Sequence, residues 1–417
     1  MVARVMSSNP NPIEAELLIV GGGMVGLSLA AALASAGVRV VLIDREDPAR
    51  HVDDDFDGRS SAIAWGSRQA LAGIGLWSLI EAEAQPILDI RVSDGQVGRR
   101  ASGLFLHYDH HEVGVPFGHI VENRVIRRAL LALIGRLPDV THLAPASLGR
   151  LERRATGVHA VLADGREIRA GLVVAADGRE STLRAEAGIR VARWTYPQTA
   201  IVATVEHEEP HYGVAHEHFL PSGPFAMLPM TGNRSSIVWT ERSELAAAAL
   251  ALDDNAFSAE IERRFGSTLG RIRIQGRRWS YPLSCLLAER YVDRRLALVG
   301  DAAHAIHPIA GQGLNLGLRD LAALAETVVD SHRLGLDVGD AITLARYQRW
   351  RRFDALMLGT VTDGLNRLFS NDVGPVRLVR DLGLAAVDRL PPLKRLFMRH
   401  AMGLVGDLPR LVAGRPL

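Results

Sequence analysis

Three glycine-rich stretches carry the residues whose types and spacing could serve chemistry. They read "GGGMVG" at 21–26, "AADGRESTLR" at 175–184 and "GDAAHAIHPIAGQGLNLG" at 300–317. They offer bare backbone N–H groups and carboxylates rather than an obvious nucleophile or a set of metal ligands. Such groups bind phosphates and the hydroxyl groups of sugars. The stretches therefore predict a site for a ligand that carries both.

The first stretch lies within a strand–helix–strand pattern over residues 17–44. Side chains at Gly21, Gly23 and Gly26 would block the tight turn, the approach of backbone to a pyrophosphate, and the packing of helix on strand. Asp44 ends the second strand, where its carboxylate could accept hydrogen bonds from ribose hydroxyls. The pattern favours dinucleotide binding over a plain glycine turn, and at this point NAD and FAD both fit.

The other two stretches place carboxylates at the ends of predicted strands. Asp177 and Asp301 each follow a buried strand, so both would lie at the carboxyl edge of the sheet. Taken alone, Asp177 with Gly178 is typical of a turn, and Asp301 also suits a helix N-cap. In the binding interpretation, Asp301 accepts a hydrogen bond from a polyol such as a ribityl chain. The helix after Gln312 would direct its N–H groups to the same place, toward the negative N1–C2=O edge of a reduced flavin. The backbone there is kept clear by Gly311, Gly313 and Gly317.

The remaining pattern indicates a second unit and a helical tail. Alternating strands fill the range from about 200 to 281, which predicts a largely antiparallel second domain. The buried strands at 171–178 and 295–301 belong with the first unit. Apolar residues at helical spacing predict a helical tail that is broken at Pro391 and Pro392.

Composition excludes several classes of protein. The chain has 417 residues, 47% of them hydrophobic, and a formal net charge of +1, so nucleic-acid binding is not expected. The single cysteine, Cys285, excludes an intrachain disulfide and a multi-cysteine metal site, and it fits a reducing compartment. Residues 17–38 are uncharged, but their glycines argue against a membrane span or a signal peptide.

Histidines are the remaining candidates for metal or acid–base chemistry. Four occur in the second domain: His207, His211, His216 and His218. Alternating strands without typical ligand spacing favour surface or pocket positions for them, so no metal is predicted. His304 and His307 adjoin the third stretch, where packing is favoured over an acid–base role.

Together, the three stretches resemble the fingerprints of the class A flavoprotein monooxygenases, which are similar in fold to p-hydroxybenzoate hydroxylase. More narrowly, "HPIAGQGLNLGLRD" at 307–320 resembles the signature of the UbiH-like hydroxylases of ubiquinone biosynthesis. Asp44 departs from the glutamate that is common in the family, although the shorter acid still reaches a ribose.

The resemblance implies a mixed α/β and α+β fold. It consists of a Rossmann-like FAD-binding domain, an inserted, mainly antiparallel β-sheet substrate domain and a helical C-terminal region. We assign the FAD-binding domain to 1–86, 110–190 and 285–345, the substrate domain to 87–109 and 191–284, and the helical region to 346–417.

The resemblance also implies roles for residues in the three stretches and beyond them. The pyrophosphate would contact Gly21, Gly23, Met24, Val25 and Gly26, and the adenosine ribose would contact Asp44 and Arg45. Further FAD contacts would be Arg59, Arg124, Asp177 and Gly300, with Asp301 on the ribityl chain. The isoalloxazine would be bordered by Pro308, Gly311, Gln312, Gly313, Leu314 and Asn315. Among these, the catalytic loop would comprise Pro308, Gly311 and Gln312.

The implied reaction is hydroxylation of an aromatic ring through a flavin C4a-hydroperoxide, from which water must be excluded. The implied substrates are molecular oxygen and a polyprenylated phenol on the way to ubiquinone, with electrons from NAD(P)H or a protein donor. Three alternatives stay open: a hydroxylase of a small soluble aromatic compound, a flavin-dependent isoprenoid reductase, and a flavin-binding interaction protein without turnover.

A lipid substrate implies a cytoplasmic protein with peripheral contact at the inner face of the cell membrane. The apolar and basic tail from Pro375 to Leu417 could make that contact, although packing on the FAD-binding domain or at a subunit interface is favoured. Association with other quinone-biosynthesis proteins, or as a homo-oligomer, is a further expectation.

Overall fold

The first sheet is built on apolar runs, because parallel strands covered on both faces carry few polar side chains. The computed structural model describes residues 11–52, 58–98, 105–307, 311–369 and 387–417. The strands of this sheet are β1 (Ile13–Val20), β2 (Val40–Ile43), β8 (Val140–Leu143), β9 (Leu148–Arg153), β10 (Val158–Leu162), β11 (Glu167–Ala175), β17 (Val292–Asp293) and β18 (Leu296–Leu298). Their order is β17-β18-β11-β1-β2-β8, and β10 joins β11 to β9.

The centre of this sheet is parallel, so the strand ends that carry the motifs lie at one edge. β1 pairs in parallel with β11 and with β2, and β11 pairs in parallel with β18. Leu17, Leu18 and Ile19 on β1 are fully buried. Burial of each such side chain contributes about 1.5–3 kcal/mol.

Ten helices lie among the described residues. They are α1 (Met24–Ala34), α2 (Trp65–Gly73), α3 (Trp77–Ile80), α4 (Asn123–Ile134), α5 (Thr182–Glu186), α6 (Ser243–Leu250), α7 (Asp254–Phe265), α8 (Gln312–Arg333), α9 (Ala341–Phe369) and α10 (Pro391–Ala401). α1 packs against α4 and α8, and α8 packs against α9. Residues of these helices join those of β1, β2 and β11 in one large hydrophobic core.

The second sheet is mainly antiparallel. Its strands are β5 (Asp89–Asp94), β6 (Phe105–Asp109), β12 (Val191–His207), β13 (Val214–Leu220), β14 (Gly223–Met230), β15 (Arg234–Arg242), β16 (Ile272–Ala288) and β19 (His304–Ala305). They lie in the order β19-β16-β12-β15-β14-β13-β5-β6, and the pair β13 and β5 is parallel. The short β19 belongs to the third stretch, so this sheet borders the motif edge of the first.

The second sheet packs on both of its faces. One face is covered by α7, with Phe257 and Ile261 in a separate core. The other face meets a small sheet of β3 (Ser60–Ala64), β7 (Gly118–Glu122) and β4 (Gln85–Ile87), together with Met398 of α10. The predicted combination of a parallel and an antiparallel unit is confirmed.

Two local predictions change in detail. The strands expected near Glu167 and at 171–178 form the single strand β11, because its first half pairs with β10 and its length pairs with β1. Pro391 and Pro392 do interrupt the tail, but they also start α10, where a missing N–H costs nothing. The domain boundaries stay a prediction.

Candidate functional site

The first two stretches touch directly. Gly21 has a φ of +112°, and a side chain there would overlap the Ala176 carbonyl oxygen. A side chain at Gly26 would overlap the Gly21 carbonyl oxygen in turn. The turn therefore requires glycine twice, once for backbone conformation and once so that α1 can pack closely on β1.

The first turn of α1 is arranged to receive an anion. Its N-cap is Gly23, and among the described residues no side chain caps the helix and no acid lies in its first turn. A side chain at Gly23 would meet nothing within 4 Å. Asp44 borders the same turn, where its Oδ2 accepts a hydrogen bond from the Gly22 N–H at 2.6 Å. Exposed N–H groups beside open space fit a pyrophosphate.

The third stretch reaches the same place through Val25. A side chain at Gly317 on α8 would lie 2.8 Å from Val25 Cγ2, and one at Gly300 would lie 3.3 Å from it. Gly300 also has a φ of +59°. Bare backbone in the third stretch thus lets α8 and the end of β18 close on α1. All three predicted stretches meet at one edge of the first sheet.

The two predicted carboxylates differ in what they contact. The Asp177 Oδ2 accepts hydrogen bonds from the Thr182 N–H at 2.9 Å and the Thr182 hydroxyl at 3.3 Å, so it organises the start of α5. The Asp301 side chain is 51% exposed, and its carboxylate lies 4.0 Å from an Arg179 nitrogen. Asp301 is therefore available to a ligand, whereas Asp177 also has a structural task.

The start of α8 is a second helix end without a capping side chain among the described residues. Its N-cap is Gly311, with a φ of +61°, and a side chain at Gly313 would meet nothing within 4 Å. Asn315 fixes this end to β3: its Oδ1 accepts from the Ala64 N–H at 2.9 Å and its Nδ2 donates to the Ala62 carbonyl at 2.8 Å. This attachment fixes the start of α8, where no described side chain caps the N–H groups of the first turn.

The other predicted FAD contacts fall around this edge in different ways. Arg59 lies over the Tyr281 ring at 4.7 Å from its centroid, which links the loop before β3 to the second sheet. Arg124 donates to Glu122 at 2.7 Å. Gln312 donates to the Ala401 carbonyl at 3.4 Å. Three further placements complete the set: Met24 and Leu314 are partly buried and Arg45 is exposed. Pro308 lies outside the described residues.

These observations fit FAD. One open helix end matches a pyrophosphate and a second matches an anionic ring edge. An exposed carboxylate, Asp301, lies near Gly300 and is suited to a polyol. Asp44 supplies the acid expected beside a ribose. The chemistry of the donors therefore matches the parts of the cofactor in order.

A buried ionic network behind the third stretch was missed at the sequence level. Asp320 on α8 accepts hydrogen bonds from the Gly300 N–H at 3.1 Å and from Arg351 Nε at 2.9 Å. It also bonds to His304 Nε2. Arg351 extends the network to Asp354 at 2.8 Å. The network ties the turn that carries Asp301 to α8 and α9.

Electrostatics explains why this network holds its charges. Burial opposes ionisation of Asp320, but His304 and Arg351 outweigh it and lower the pKa of that carboxyl. Burial likewise opposes the charge on Arg351, while Asp320 and Asp354 raise the pKa of the guanidinium. His304 belongs to this pairing, as the packing interpretation expected. Asp320 closes the quoted "GLRD", so its position in the motif was the available signal.

His307 has a different environment. It is fully buried, and its ring meets the Tyr196 ring edge-on at 5.0 Å. Burial lowers the pKa of His307 to about 4, so the ring is neutral at physiological pH. Tyr196 donates to Asp363 at 2.7 Å, and Trp194 donates to the same oxygen at 3.1 Å. This aromatic wall borders a cavity of about 740 Å³ between β12 and α9.

The four histidines of the second domain divide between two structural settings. His207 bonds to Ser235 Oγ at 3.0 Å and to the Glu209 carbonyl at 2.7 Å, and His211 bonds to the Met230 carbonyl. The others, His216 and His218, pack against Phe265. A separate group at the β6 end places ligand atoms close together on Asp109, His110 and His111, with His111 exposed. The group of Asp109, His110 and His111 was not predicted from the sequence.

Comparison with known proteins places the chain among flavoproteins. The FAD binding domain family matches residues 14–333. The ubiquinone hydroxylase UbiL of Rhodospirillum rubrum is 57% identical over 406 residues, covering 97% of this chain and 94% of that protein. The 3-demethoxyubiquinol 3-hydroxylase of Escherichia coli is 36% identical, covering 93% of this chain and 98% of its own.

Solved structures share the fold. The p-nitrophenol 4-monooxygenase PnpA of Pseudomonas putida DLL-E4 gives a TM-score of 0.80 at 21% identity, covering 95% of this chain and 99% of that one. A single-substitution variant of Klebsiella pneumoniae HpxO, complexed with FAD, gives a TM-score of 0.72 at 19% identity, covering 94% and 99% of the two chains.

Proposed function

Because the chain belongs to the FAD binding domain family and is an FAD-dependent hydroxylase of ubiquinone biosynthesis, we propose that it hydroxylates the ring of a polyprenylated phenol. The resemblance drawn from the motifs is confirmed. The observation that carries the proposal is the convergence of all three stretches at one sheet edge, in a chain whose curated relatives are ubiquinone hydroxylases over nearly their full length.

The chain's own residues bind and orient the cofactor. The N–H groups at the start of α1 hold the pyrophosphate, and Asp301 accepts hydrogen bonds from the ribityl chain. The N–H groups at the start of α8 stabilise the ring edge that becomes negative on reduction. Bound FAD supplies the activation of molecular oxygen, with electrons from NAD(P)H or a protein donor. The loop of Pro308, Gly311 and Gln312 would lie beside the ring.

Exclusion of water falls to the buried wall next to that loop. His307 is fully buried and packs edge-on against Tyr196 of β12, and burial keeps His307 uncharged. A neutral, packed wall lowers the local dielectric and protects the reactive cofactor from water. The adjoining cavity is lined by the apolar Trp194, Pro197 and Pro221 and by polar side chains that include Arg242 and Asn366, which suit a substrate with both apolar and polar parts.

The substrate class is tested with phenols of increasing prenyl length and reduced holoenzyme in a single turnover with oxygen. The ratio kcat/KM in matched steady-state assays should rise with each added isoprene unit until the added carbons leave the protein. Each buried methylene contributes about 0.8 kcal/mol, so burial of two carbons of a unit already gives roughly tenfold and burial of all five gives nearly 10³-fold. Equal use of a prenyl-free phenol would favour the hydroxylase of a small soluble compound instead.

We also propose contact with an anionic membrane surface. No helix in the described part of the chain is both long enough and apolar enough to cross a bilayer. α9 nevertheless exposes apolar side chains at helical spacing, and Phe353 is 70% exposed. The exposed set comprises Phe353, Leu356, Met357 and Val361 on α9 and Leu393, Leu396 and Phe397 on α10.

The charges around these side chains match such a surface. Arg352, Arg395 and Arg399 on the two helices are exposed. Phe353 and Met357 also border one groove together with His400 of α10, so the two helices present adjoining surfaces. Apolar side chains flanked by arginines bind the interface of an anionic bilayer. The part of the predicted tail from residue 375 to 386 lies outside the described residues.

Vesicle flotation tests the membrane proposal. Wild-type protein should float with vesicles containing anionic lipid and stay behind with zwitterionic ones. The double variant Phe353→Asp with Leu396→Asp should lose binding, whereas Leu245→Asp, which changes an exposed leucine on α6, should keep it. Unchanged flotation of the double variant would contradict the assignment of this surface and favour a protein partner for it.

A further inference from the structure

Glu217 lies on the face of the second sheet that is turned away from α7. Residues on β13 alternate between the two faces: His216 and His218 pack against Phe265 of α7. Ala215, Glu217 and Phe219 therefore point to the opposite face. On that face Ala215 belongs to a cluster that includes Ala62 of β3 and Ile120 of β7, and Phe219 stacks on Phe369 of α9 at 4.1 Å.

This face adjoins the loop expected to border the flavin ring. Ala62 packs in the same cluster as Ala215, and a side chain at Gly311 would lie 3.1 Å from the Ala62 Cβ. Farther across the same face, Arg59 lies over Tyr281 of β16. The face that Glu217 shares is thus continuous with the residues that flank the start of α8.

The immediate neighbours of Glu217 are apolar. Its cross-strand partners are Ala226 on β14 and Val92 on β5. The next positions on that face are Leu228 and Leu106, both in or packed against the same cluster. Within the described residues the Glu217 carboxylate makes no hydrogen bond and no ion pair, although the side chain is only partly buried.

Other titratable groups on this face are engaged elsewhere. Asp94, which pairs with Phe219, accepts a hydrogen bond from the Gly95 N–H at 3.0 Å. Burial raises the pKa of Tyr108 on β6 above its ordinary value, so it stays neutral. Arg234 on β15 pairs with Glu122 at 3.3 Å. None of these supplies Glu217 with a counter-charge.

An unpaired carboxylate in an apolar setting is costly in the ionised form. Burial raises the pKa of Glu217 from its ordinary value to about 7. A carboxyl that ionises near neutral pH, has spare acceptor capacity and is only partly buried is suited to proton transfer.

We propose that Glu217 is the general base that takes the proton from the ring hydroxyl of the substrate. The assignment rests on the proposed function, since it requires a phenol in this site. The hydroxyl O–H bond breaks, its electron pair stays on the ring oxygen, and the proton goes to a Glu217 oxygen. The ring becomes more electron-rich, which favours attack on an electrophilic oxygen. The hydroxylated carbon then releases its hydrogen as a proton to the negative oxygen left on the oxygen donor, and Glu217 returns its own proton to the ring oxygen.

Kinetics of the Glu217→Gln holoenzyme tests the role. With a farnesylated phenol, dithionite-reduced enzyme and oxygen, the hydroxylation rate at pH 8 should fall by about 10²–10⁴-fold. The wild-type rate should rise with pH through about 7 and then level. The rate of the variant should not rise near pH 7. It should rise only at the higher pH at which the phenol ionises without a base. Glu217→Asp should restore part of the rate.

A matched control is Glu206→Gln, which changes an exposed glutamate on β12 of the same sheet. The Glu206→Gln variant should keep both the wild-type hydroxylation rate and its rise with pH through about 7. The methyl ether of the same phenol, which has no proton to give, should react equally slowly with wild type and with Glu217→Gln. A Glu217→Gln variant that retains the wild-type rate and pH profile would overturn the assignment.

A second measurement needs no variant to fold. Infrared difference spectra of wild-type holoenzyme across the pH range should show a protonated carboxylic acid that titrates near pH 7. Its band should shift when the farnesylated phenol binds. The absence of a carboxylic acid band that titrates near pH 7 would contradict the assignment. Wild-type enzyme that hydroxylates no prenylated phenol, despite showing the band, would instead count against the proposed function.

Discussion

Asp320 and Glu217 are two interior carboxylates whose surroundings act on them in opposite ways. Asp320 is fully buried but receives bonds from His304, Arg351 and the Gly300 N–H, and its pKa is lowered against the effect of burial. Glu217 is less buried but lies among apolar side chains, and burial raises its pKa to about 7. Depth alone therefore does not decide the charge of an interior acid.

The different surroundings of Asp320 and Glu217 suit them to different roles, one structural and one in proton transfer. A carboxylate whose two oxygens both accept hydrogen bonds from buried donors is fixed in one state and holds its neighbours in place. A carboxylate without partners can change protonation at neutral pH. Asp320 accordingly supports the turn that presents Asp301, while Glu217 is available to a substrate. Asp301 is a third case, exposed to solvent and free to accept from a ligand.

The largest expected effect comes from breaking the paired acid. Asp320→Asn should lower the free energy of unfolding by about 3–5 kcal/mol, because it removes the fully buried one of the two carboxylates that pair with the buried Arg351. Chemical denaturation of the holoenzyme measures the change. Asp330→Asn, which removes a partly exposed acid paired with Arg346 and Arg410, should cost under about 1 kcal/mol. Similar losses in the two variants would refute the distinction.

The same pair carries a pH dependence with a defined sign. The folded-state pKa of Asp320 is below its ordinary value of 3.8, so its contribution is complete above that value and is lost as pH falls through the folded-state pKa. Wild type and Asp320→Asn should therefore approach equal stability only in strong acid. Denaturation curves measured from pH 6 downward check this.

The exposed acid should affect binding without affecting stability. Asp301→Ala should weaken FAD binding by about 10–100-fold, since a hydrogen bond to a charged group is worth roughly 1.5–3 kcal/mol. The apoprotein should unfold within about 0.5 kcal/mol of wild type. Titration of apoprotein with FAD, followed by flavin fluorescence, measures the affinity. Full retention of yellow cofactor through purification would contradict this role.

Removing the unpaired acid should stabilise the fold. The raised pKa of Glu217 means that its contribution is favourable below the ordinary value of 4.5 and is lost as pH rises through about 7. Glu217→Gln should therefore gain about 1–3 kcal/mol at pH 8, and the gain should vanish near pH 4. Thermal unfolding at the two pH values compares them. If Glu217→Gln were less stable than wild type at pH 8, the Glu217 carboxylate would have to interact with a further charged or polar group.

Much of the site was predictable because its determinants are local. Glycines and strand-end carboxylates depend on backbone conformation, and Gly21, Gly300 and Gly311 indeed have positive φ. Strand–helix alternation predicted that Gly21 and Asp301 would share one edge. Two strands were predicted where the structure has the single strand β11, because β11 pairs along its length with β1, which is distant in sequence.

The rest depended on contacts that the local pattern does not contain. Arg351 lies in "RYQRWRRF", where an arginine is typical of a solvated helix face, yet it is fully buried against Asp320. Glu217 lies in "AHEHF", whose polar alternation is typical of an exposed strand face. The second sheet is covered on both sides, so the alternation could not reveal which side chains face solvent.

By itself, the amino-acid sequence determined the three glycine-rich turns, because glycine conformations and helix ends follow from residues within a few positions of one another. The tertiary structure alone decided which of these two acids gains counter-charges and which has none among the described residues. That outcome depends on the charges that packing brings within a few ångströms, and those residues are far apart along the chain.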